Sequence, residues 1–551
     1  MLKPTTRVVR PTAYAAEDEF PDRRGWLRRF GAAARRRLAL VGRRVSSHEA
    51  PGVEGAFDWL VQHAARGGSP ILPGGRQCVA TTAHGILAAV ELGQVPLARD
   101  WCTWLAGQQQ ACGAFGDGAD QASIHHTGQA VRGLLALAAE KGDDIAADRD
   151  RSSSTAAACQ WLAARIGPRG EFDHSLSAVG SLDRCGPRNL SLASLPALWS
   201  AADLLHEPKW RTAAKRGLHA FLRRHDPSRW DGPLDQWLLG VEALLELGET
   251  EAAERALLRA LAAQRRGGEA PALPNGGWTS SAGLAQLAAA WYRHGGERFR
   301  TAGDRAVAAV RRRQLPCGGF PASWGRGTSP FPGRESIAAA IAFLRAASAQ
   351  VRCAFASAAC DFPAEIDPAD GRWRAVQAWR RGLPADANVI DVGCGKGRYL
   401  KRLRAEFPGT QAVGVDLTHS VPDALPQGIA LRHGSQLRLP AAAGEFDGAI
   451  CVETLEHALL PRVAAAELCR VVRPGGSVLI IDKDRRKQRL SDHQPWERWF
   501  SAEEVSAWLA ENCDDVSVRP IRHGQGAGSG RADLFFCWTA NKRAVSQRRA
   551  A

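Results

Sequence analysis

Two hydrophobic rhythms run along the chain. Between residues 50 and 350, apolar positions recur at helical spacing, as in AVRGLLALAAEKG (130–142) and LDQWLLGVEALLELGETEAAERALLRALAAQ (234–264). That period gathers them on one face of a helix. Between residues 365 and 541 the rhythm changes. Short apolar runs such as NVIDVG (388–393), QAVGVD (411–416) and SVLIID (477–482) alternate with amphipathic stretches such as RYLKRLRAEF (398–407). Runs without a polar face predict strands covered on both sides, as in a parallel sheet between helices. The fold class is therefore multidomain, with an all-α half at 50–350 followed by an α/β half at 365–541. The piece 351–364, where an Ala-rich run gives way to Pro and Asp, predicts a linker. Residues 1–49 read as a disordered start followed by a basic amphipathic segment, and 542–551 as a basic tail.

The helical half repeats a motif. QQACGAF (109–115) and QLPCGGF (314–320) both read Q-x-x-x-G-x-F. Weaker echoes end at Phe172, Trp230 and Trp278, and PGGRQ near Gly75 makes a sixth. Each interval has room for two helices, the mark of a repeat architecture. The glycine permits a tight turn after a helix, the aromatic packs across the next repeat, and the glutamine amide reaches open backbone at a helix end. These residues resemble the QW-type repeats of the terpene-cyclase and prenyltransferase toroids, which implies an α/α toroid of about six helix pairs. Whether such a toroid is catalytic, binds substrate or serves as scaffold stays open. The D-x-D-D acid of protonating cyclases is absent between 50 and 350, and no zinc-ligand constellation stands out, so no metal is expected. Asp120 with His125 and His126, Asp173 with His174, and Asp183 are acid–base candidates. The plainer reading makes them surface or helix-end groups.

In the α/β half, NVIDVGCGKGRYL (388–400) runs from strand to helix through Gly393, Gly395 and Gly397. Glycines at such a turn tolerate positive φ and let a ligand touch backbone. The spacing is G-x-G-x-G, not the dinucleotide G-x-G-x-x-G. Asp391 ends the strand, where a carboxylate repels phosphate and attracts an ammonium group. Asp416 ends the next strand, where an acid can accept ribose hydroxyls. LRHGSQLRLP, EFDGAICVETLEHA and LCRVVRPGGSVLIID complete the series. Together these motifs resemble the class I S-adenosylmethionine-dependent methyltransferases, in the style of quinone-biosynthesis enzymes. The resemblance implies a Rossmann-like domain over 365–541 with S-adenosylmethionine as cofactor. It places Asp391, Gly393, Cys394, Gly395 and Gly397 at the methionine end. Asp416 and Leu417 fall at the ribose, Ser435 and Gln436 beside adenine, and Glu453, Thr454 and Leu455 near the sulfonium. The family often has an acid where this chain has Ser435. His457, Asp482, His493 and Glu497 are candidate bases. Arg485 and Arg486, in the insert after the fifth strand, are candidates to hold an anionic group of an acceptor, and Trp496 and Trp499 to stack on a sugar or ring.

The formal charge is +15, and nine arginines with no acid lie between Arg23 and Arg44. Trp26, Leu27, Phe30, Ala34, Leu38 and Val41 fall near one helical face there, so residues 23–44 suit the surface of an anionic membrane. Nucleic acid is the less favoured partner, because the rest of the chain is only mildly basic. Thirteen cysteines without a C-x-x-C pair predict reduced thiols and a cytoplasmic protein, peripheral at the inner face of the membrane. No signal peptide and no run long enough to span a bilayer is evident. The function expected is methyl transfer to a small-molecule, lipid or glycan acceptor. The alternatives are a terpene-cyclase-like toroid with an accessory methyltransferase, or a non-catalytic binding protein.

Overall fold

A computed structural model describes residues 52–63, 77–117, 122–137, 149–173, 189–325, 335–418, 426–488, 494–521 and 534–544. The basic segment, the motif near Gly75, Asp120, His174, Asp183 and His493 lie outside these residues, as does most of the tail.

The helical half contains α1 (Gly52–Gln62), α2 (Val79–Glu91), α3 (Val95–Ala106), α4 (Ile124–Ala136), α5 (Arg149–Ala164), α6 (Asn189–Leu192), α7 (Leu195–Leu204), α8 (Pro208–Arg224), α9 (Leu234–Glu246), α10 (Thr250–Ala263), α11 (Ser281–His294), α12 (Glu297–Arg311) and α13 (Ser336–Ala358), with a ribbon of β1 (Trp278–Ser280) and β2 (Ser323–Gly325). One set of helices makes a circuit of contacts. α2 packs on α4, α4 on α6 and α7, α6 on α9, α9 on α11, α11 on α13, and α13 returns to α2. Each circuit position takes a second helix: α3 on α2, α5 on α4, α8 on α7, α10 on α9, α12 on α11 and α1 on α13. Burial separates the two sets. α11 buries ten of its fourteen residues. α12 buries seven of fifteen and keeps its arginines on the far face.

The motif does the work its residues suggest. Gln109 Nε2 donates to Gly113 O at 2.9 Å and to Ser154 O on α5 at 2.8 Å. Gln314 Nε2 donates to Gly318 O and Gly52 O, each at 2.8 Å, so the last turn is tied to the first described helix. Gln264 makes the same pair of bonds, to Gly268 O and Ala302 O. The sequence reading missed this copy, because Ala270 stands where the others have Phe. At Gly318, φ is +93° and a Cβ would lie 2.0 Å from Gly55 O, so no other residue fits.

The linker expected at 351–364 is not one. α13 runs on to Ala358, and a single helical turn follows at Ala359–Asp361. Its alanines favour helix and no breaker occurs before Pro363. α13 is long and apolar enough to cross a bilayer, but 78% of that apolar window is buried within the protein, as in a core helix.

The α/β half adds α14 (Gly371–Arg381), β3 (Asn388–Val392), α15 (Arg398–Glu406), β4 (Gln411–Asp416), β5 (Ile429–His433), β6 (Phe446–Val452), α16 (Pro461–Val471), β7 (Val472–Lys483), α17 (Ala502–Ala510), β8 (Cys513–Ile521) and β9 (Phe535–Lys542). The sheet order is β5-β4-β3-β6-β7-β9-β8. The first five strands pair in parallel, and β9 runs antiparallel to both β7 and β8. The order reverses at β3, so a crevice opens at the carboxyl ends of β3, β4 and β6. The halves pack together within one compact unit, residues 50–551. Arg498 pairs with Glu54, and Arg311 Nη1 donates to Pro495 O at 3.0 Å. A Cβ on Gly93, in the turn after α2, would lie 2.0 Å from Leu437 O.

Candidate functional site

The crevice is floored by the glycine turn. Gly393, Gly395 and Gly397 have φ of +77°, +51° and +73°. A Cβ on Gly393 would stand 2.2 Å from Thr454 Oγ1, so the turn and the end of β6 close tightly on each other. The Gly395 N–H donates to Asp416 Oδ2 at 2.8 Å, and Thr418 donates to Asp416 Oδ1 through its N–H at 2.9 Å and its hydroxyl at 2.8 Å. Leu417 and Cys394 line the wall beside them. Burial pushes the Cys394 thiol up, so it packs as a small apolar group.

Two buried acceptors have no partner. Asp391 is 1% exposed, and its Oδ2 is unbonded. Burial pushes its pKa up to about 7, with Arg398 pulling down and Asp416 pushing up. Gln436 donates through Nε2 to Thr454 O at 3.0 Å, while its Oε1 is buried and unbonded. Ser435 is spent locally, accepting from Leu437 N–H at 3.2 Å. Glu453 lines the pocket, but its carboxylate is held by Arg372 and, at 2.8 Å, by Arg398. It therefore anchors two arginines at the pocket edge.

The candidate bases separate. His457 lines the pocket, with Nε2 3.3 Å from Glu456 Oε1 and Nδ1 without a partner. Asp482 is fully buried beneath it. Its Oδ2 accepts from Glu456 N–H at 3.0 Å and its Oδ1 from Lys483 N–H at 2.8 Å. Burial and the neighbouring Glu456 raise Asp482 well above the carboxylate range. Burial would raise Glu456 too, but His457, Lys483 and Asp482 hold it below its ordinary value. Asp482 thus keeps the proton, Glu456 keeps the charge, and Asp482 is corrected from base to support. His493 lies outside the described residues. The insert touches the helical half, where Arg498 and Pro495 dock on α1 and α12, while Glu497 pairs with Lys483 of β7 at 2.9 Å. Arg486 is bound to Asp484, Arg485 lies 3.6 Å from Glu504, and Trp499 donates to Glu497. Trp496 packs against the apolar core.

Sequence reasoning missed the roof. Ser348, Val351, Arg352 and Phe355 of α13, then Phe362 and Pro363, line the same pocket. They fell in or beside the supposed linker. The unbroken helical period up to Ala358 was the available signal.

A second cavity lies in the helical half, lined by His84, His125, His126, Asp235, Glu242 and Arg345 among others. At its edge the donor atoms of Cys78, Asp117 and His126 lie within 4.8 Å of one another, a set chemically able to hold zinc. This corrects the expectation that no such constellation exists; the three residues are too far apart in the chain to be read as a motif. His126 lies 3.3 Å from Asp117. Burial would lower its pKa, but Asp117 and Cys78 outweigh that and hold it at about 10. Burial would raise Asp117, and His126 instead brings it to about 2. Asp173 sits in a turn, its N–H bonded to Arg165 O at 2.8 Å.

Residues 390–480 match the methyltransferase domain family. A ubiquinone/menaquinone biosynthesis C-methyltransferase of Syntrophotalea carbinolica is 33% identical over 120 residues, 20% of this chain and 51% of that protein. A tRNA (carboxymethyluridine(34)-5-O)-methyltransferase of Arabidopsis thaliana is 30% identical over 142 residues, 25% of this chain and 34% of that protein. A demethylmenaquinone methyltransferase of Roseiflexus sp. is 30% identical over 132 residues, 23% of this chain and 56% of that protein. The chain thus spans 34–56% of the length of these relatives.

Proposed function

We propose that the methyltransferase domain found at residues 390–480 is active, takes S-adenosylmethionine, and methylates a small acceptor held between the two halves of the chain. One observation carries this reading: two buried, unpartnered acceptors, Asp391 Oδ2 and Gln436 Oε1, beside a turn of three positive-φ glycines. The cofactor presents two amino groups, one on its methionine end and one on adenine, and supplies a methyl group on a positive sulfur. Asp391 takes the first amino group. A cation there lowers the carboxylate's pKa from about 7. Gln436 takes the second, with Ser435 beside it. Asp416 already accepts three hydrogen bonds on its two oxygens, and it has lone pairs left for ribose hydroxyls. Cys394 and Leu417 shape the wall.

Methyl transfer asks chiefly for alignment. His457 supplies what a hydroxyl acceptor needs in addition. Glu456 fixes the Nε2 tautomer, so Nδ1 carries the lone pair and can hold the acceptor's proton. The helical circuit supports the reading of that half as an α/α toroid whose α13 faces the acceptor. The relatives named for quinone biosynthesis support a small-molecule acceptor.

Calorimetry on the full chain tests this. S-adenosylmethionine is expected to bind in the micromolar range, and Asp391→Ala and Asp416→Ala each to weaken it by about tenfold or more, roughly 1.4 kcal/mol. No binding by the unaltered chain overturns the proposal.

A further inference from the structure

The acceptor's own chemistry can be read from the roof of the pocket, an inference that rests on the function proposed above. Phe355 meets the His457 ring edge-on at 4.8 Å and 75°, and lies 6.1 Å from Phe362. Phe362 in turn reaches the glycine turn, its Cδ2 3.7 Å from where a Cβ on Gly395 would be. An aromatic wall therefore runs from the turn to the imidazole.

The charges along this wall do not balance. The three acids of the pocket are engaged: Asp416 by backbone and Thr418, Glu453 by Arg372 and Arg398, and Glu91 by Arg345 at 3.4 Å and Arg293 at 4.0 Å. Arg352 and Lys396 also line the pocket, and neither makes an ion pair among the described residues. Lys396 donates only to the Cys360 carbonyl, at 2.6 Å. Arg352 is exposed and belongs to α13. The pocket thus offers uncompensated positive charge beside an apolar aromatic wall and one lone-pair nitrogen.

We infer that the acceptor is a planar aromatic ring carrying a hydroxyl and an anionic group, and that the helical half selects it. The ring lies against Phe355 and Phe362, which favour offset or edge contacts with a flat partner. Arg352 pairs with the carboxylate or other anion in forked geometry. The hydroxyl hydrogen-bonds to His457 Nδ1. A sugar would leave its hydroxyls without partners on this wall, and an uncharged hydrocarbon would leave Arg352 unused. Arg352 and Phe355 belong to α13, so the methyltransferase fold taken alone lacks this seat.

The test uses the full chain saturated with S-adenosylhomocysteine, which binds the cofactor site and cannot react. The three hydroxybenzoate isomers are titrated by calorimetry, with benzoate and phenol as controls. At least one isomer is expected to bind about tenfold more tightly than either control, the worth of one good charged contact. Arg352→Ala should reduce that isomer to the level of phenol, and Phe355→Ala should weaken it by about tenfold. Both variants should bind S-adenosylhomocysteine as the unaltered chain does, which also reports that they are folded. Isomers that bind no better than the controls, or that are indifferent to Arg352→Ala, overturn the inference while leaving cofactor binding intact. Failure of S-adenosylhomocysteine to bind overturns the proposed function instead, and the inference with it.

Discussion

Asp391 shows how one residue couples fold to ligand. It sits one residue from the end of a buried strand, and the sheet withdraws its carboxylate from water without giving Oδ2 a partner. Its folded pKa, about 7, stands above that of an unfolded chain. Between about pH 4 and pH 7 the folded state therefore keeps a proton that the unfolded state has released, and stability falls as pH rises through that window. At about 1.4 kcal/mol per pH unit the strain amounts to a few kcal/mol in the ligand-free protein. Asp391→Asn should raise the melting temperature of the ligand-free chain at pH 8 and have little effect at pH 4, as scanning calorimetry would record. The same variant should remove the strengthening of S-adenosylmethionine binding expected between pH 6 and pH 8. A melting temperature unchanged or lowered at pH 8 would show that the carboxylate is not strained. In the sequence, the residue was legible because an acid at the end of an apolar strand is conspicuous. That Glu453 would be held by Arg372 and Arg398, and that Asp482 would be buried against the Glu456 backbone, was not legible, since those partners lie elsewhere in the chain.

At the scale of elements, the repeat is held by a few polar contacts of fixed geometry. Gln314 ties Gly318 and Gly52 through three hydrogen bonds of 2.8 Å. Gln314→Ala should cost about 1–3 kcal/mol, because buried backbone groups lose their partner. Gly318→Ala should cost more, since positive φ and collision with Gly55 O add. Denaturant melts of the two variants give the order. The pair His126–Asp117, between α4 and the turn before it, adds a pH signature. Because His126 is raised to about 10, its contribution is complete below about pH 6.5 and disappears as pH climbs through 10. Asp117, brought to about 2, contributes above about pH 4 and loses its share as pH falls through 2. The stability gap between the unaltered chain and His126→Gln should thus shrink between pH 7 and pH 10; a constant gap would deny the ion pair. The motif itself stood in the sequence twice in full, at Gln109 and Gln314. Its third full set of glutamine bonds, at Gln264, escaped because packing accepts Ala270 where the pattern asked for an aromatic.

The whole molecule depends on contacts between halves that are remote in sequence. Gly93 touches Leu437, Arg498 reaches Glu54, and α13 closes both the helical circuit and the pocket over the glycine turn. Gly93→Val should push the halves apart at Leu437, costing about 1–3 kcal/mol as overpacking does and opening the chain to proteolysis between them. An unchanged proteolytic pattern would mean the halves can slide without penalty. The sequence by itself determined the order of the parts and the chemistry of the glycine turn. Periodicity, strand-end acids and glycine spacing are local properties, carried by neighbours along the chain. Only the tertiary structure decided that 351–358 is helix and roof, that the insert docks the helical half, that Asp482 is a buried support, and that Cys78, Asp117 and His126 converge. Each of those depends on which distant side chain ends up within a hydrogen bond's reach, and that is settled when the helices and the sheet pack, because burial leaves polar groups only the partners that packing brings to them.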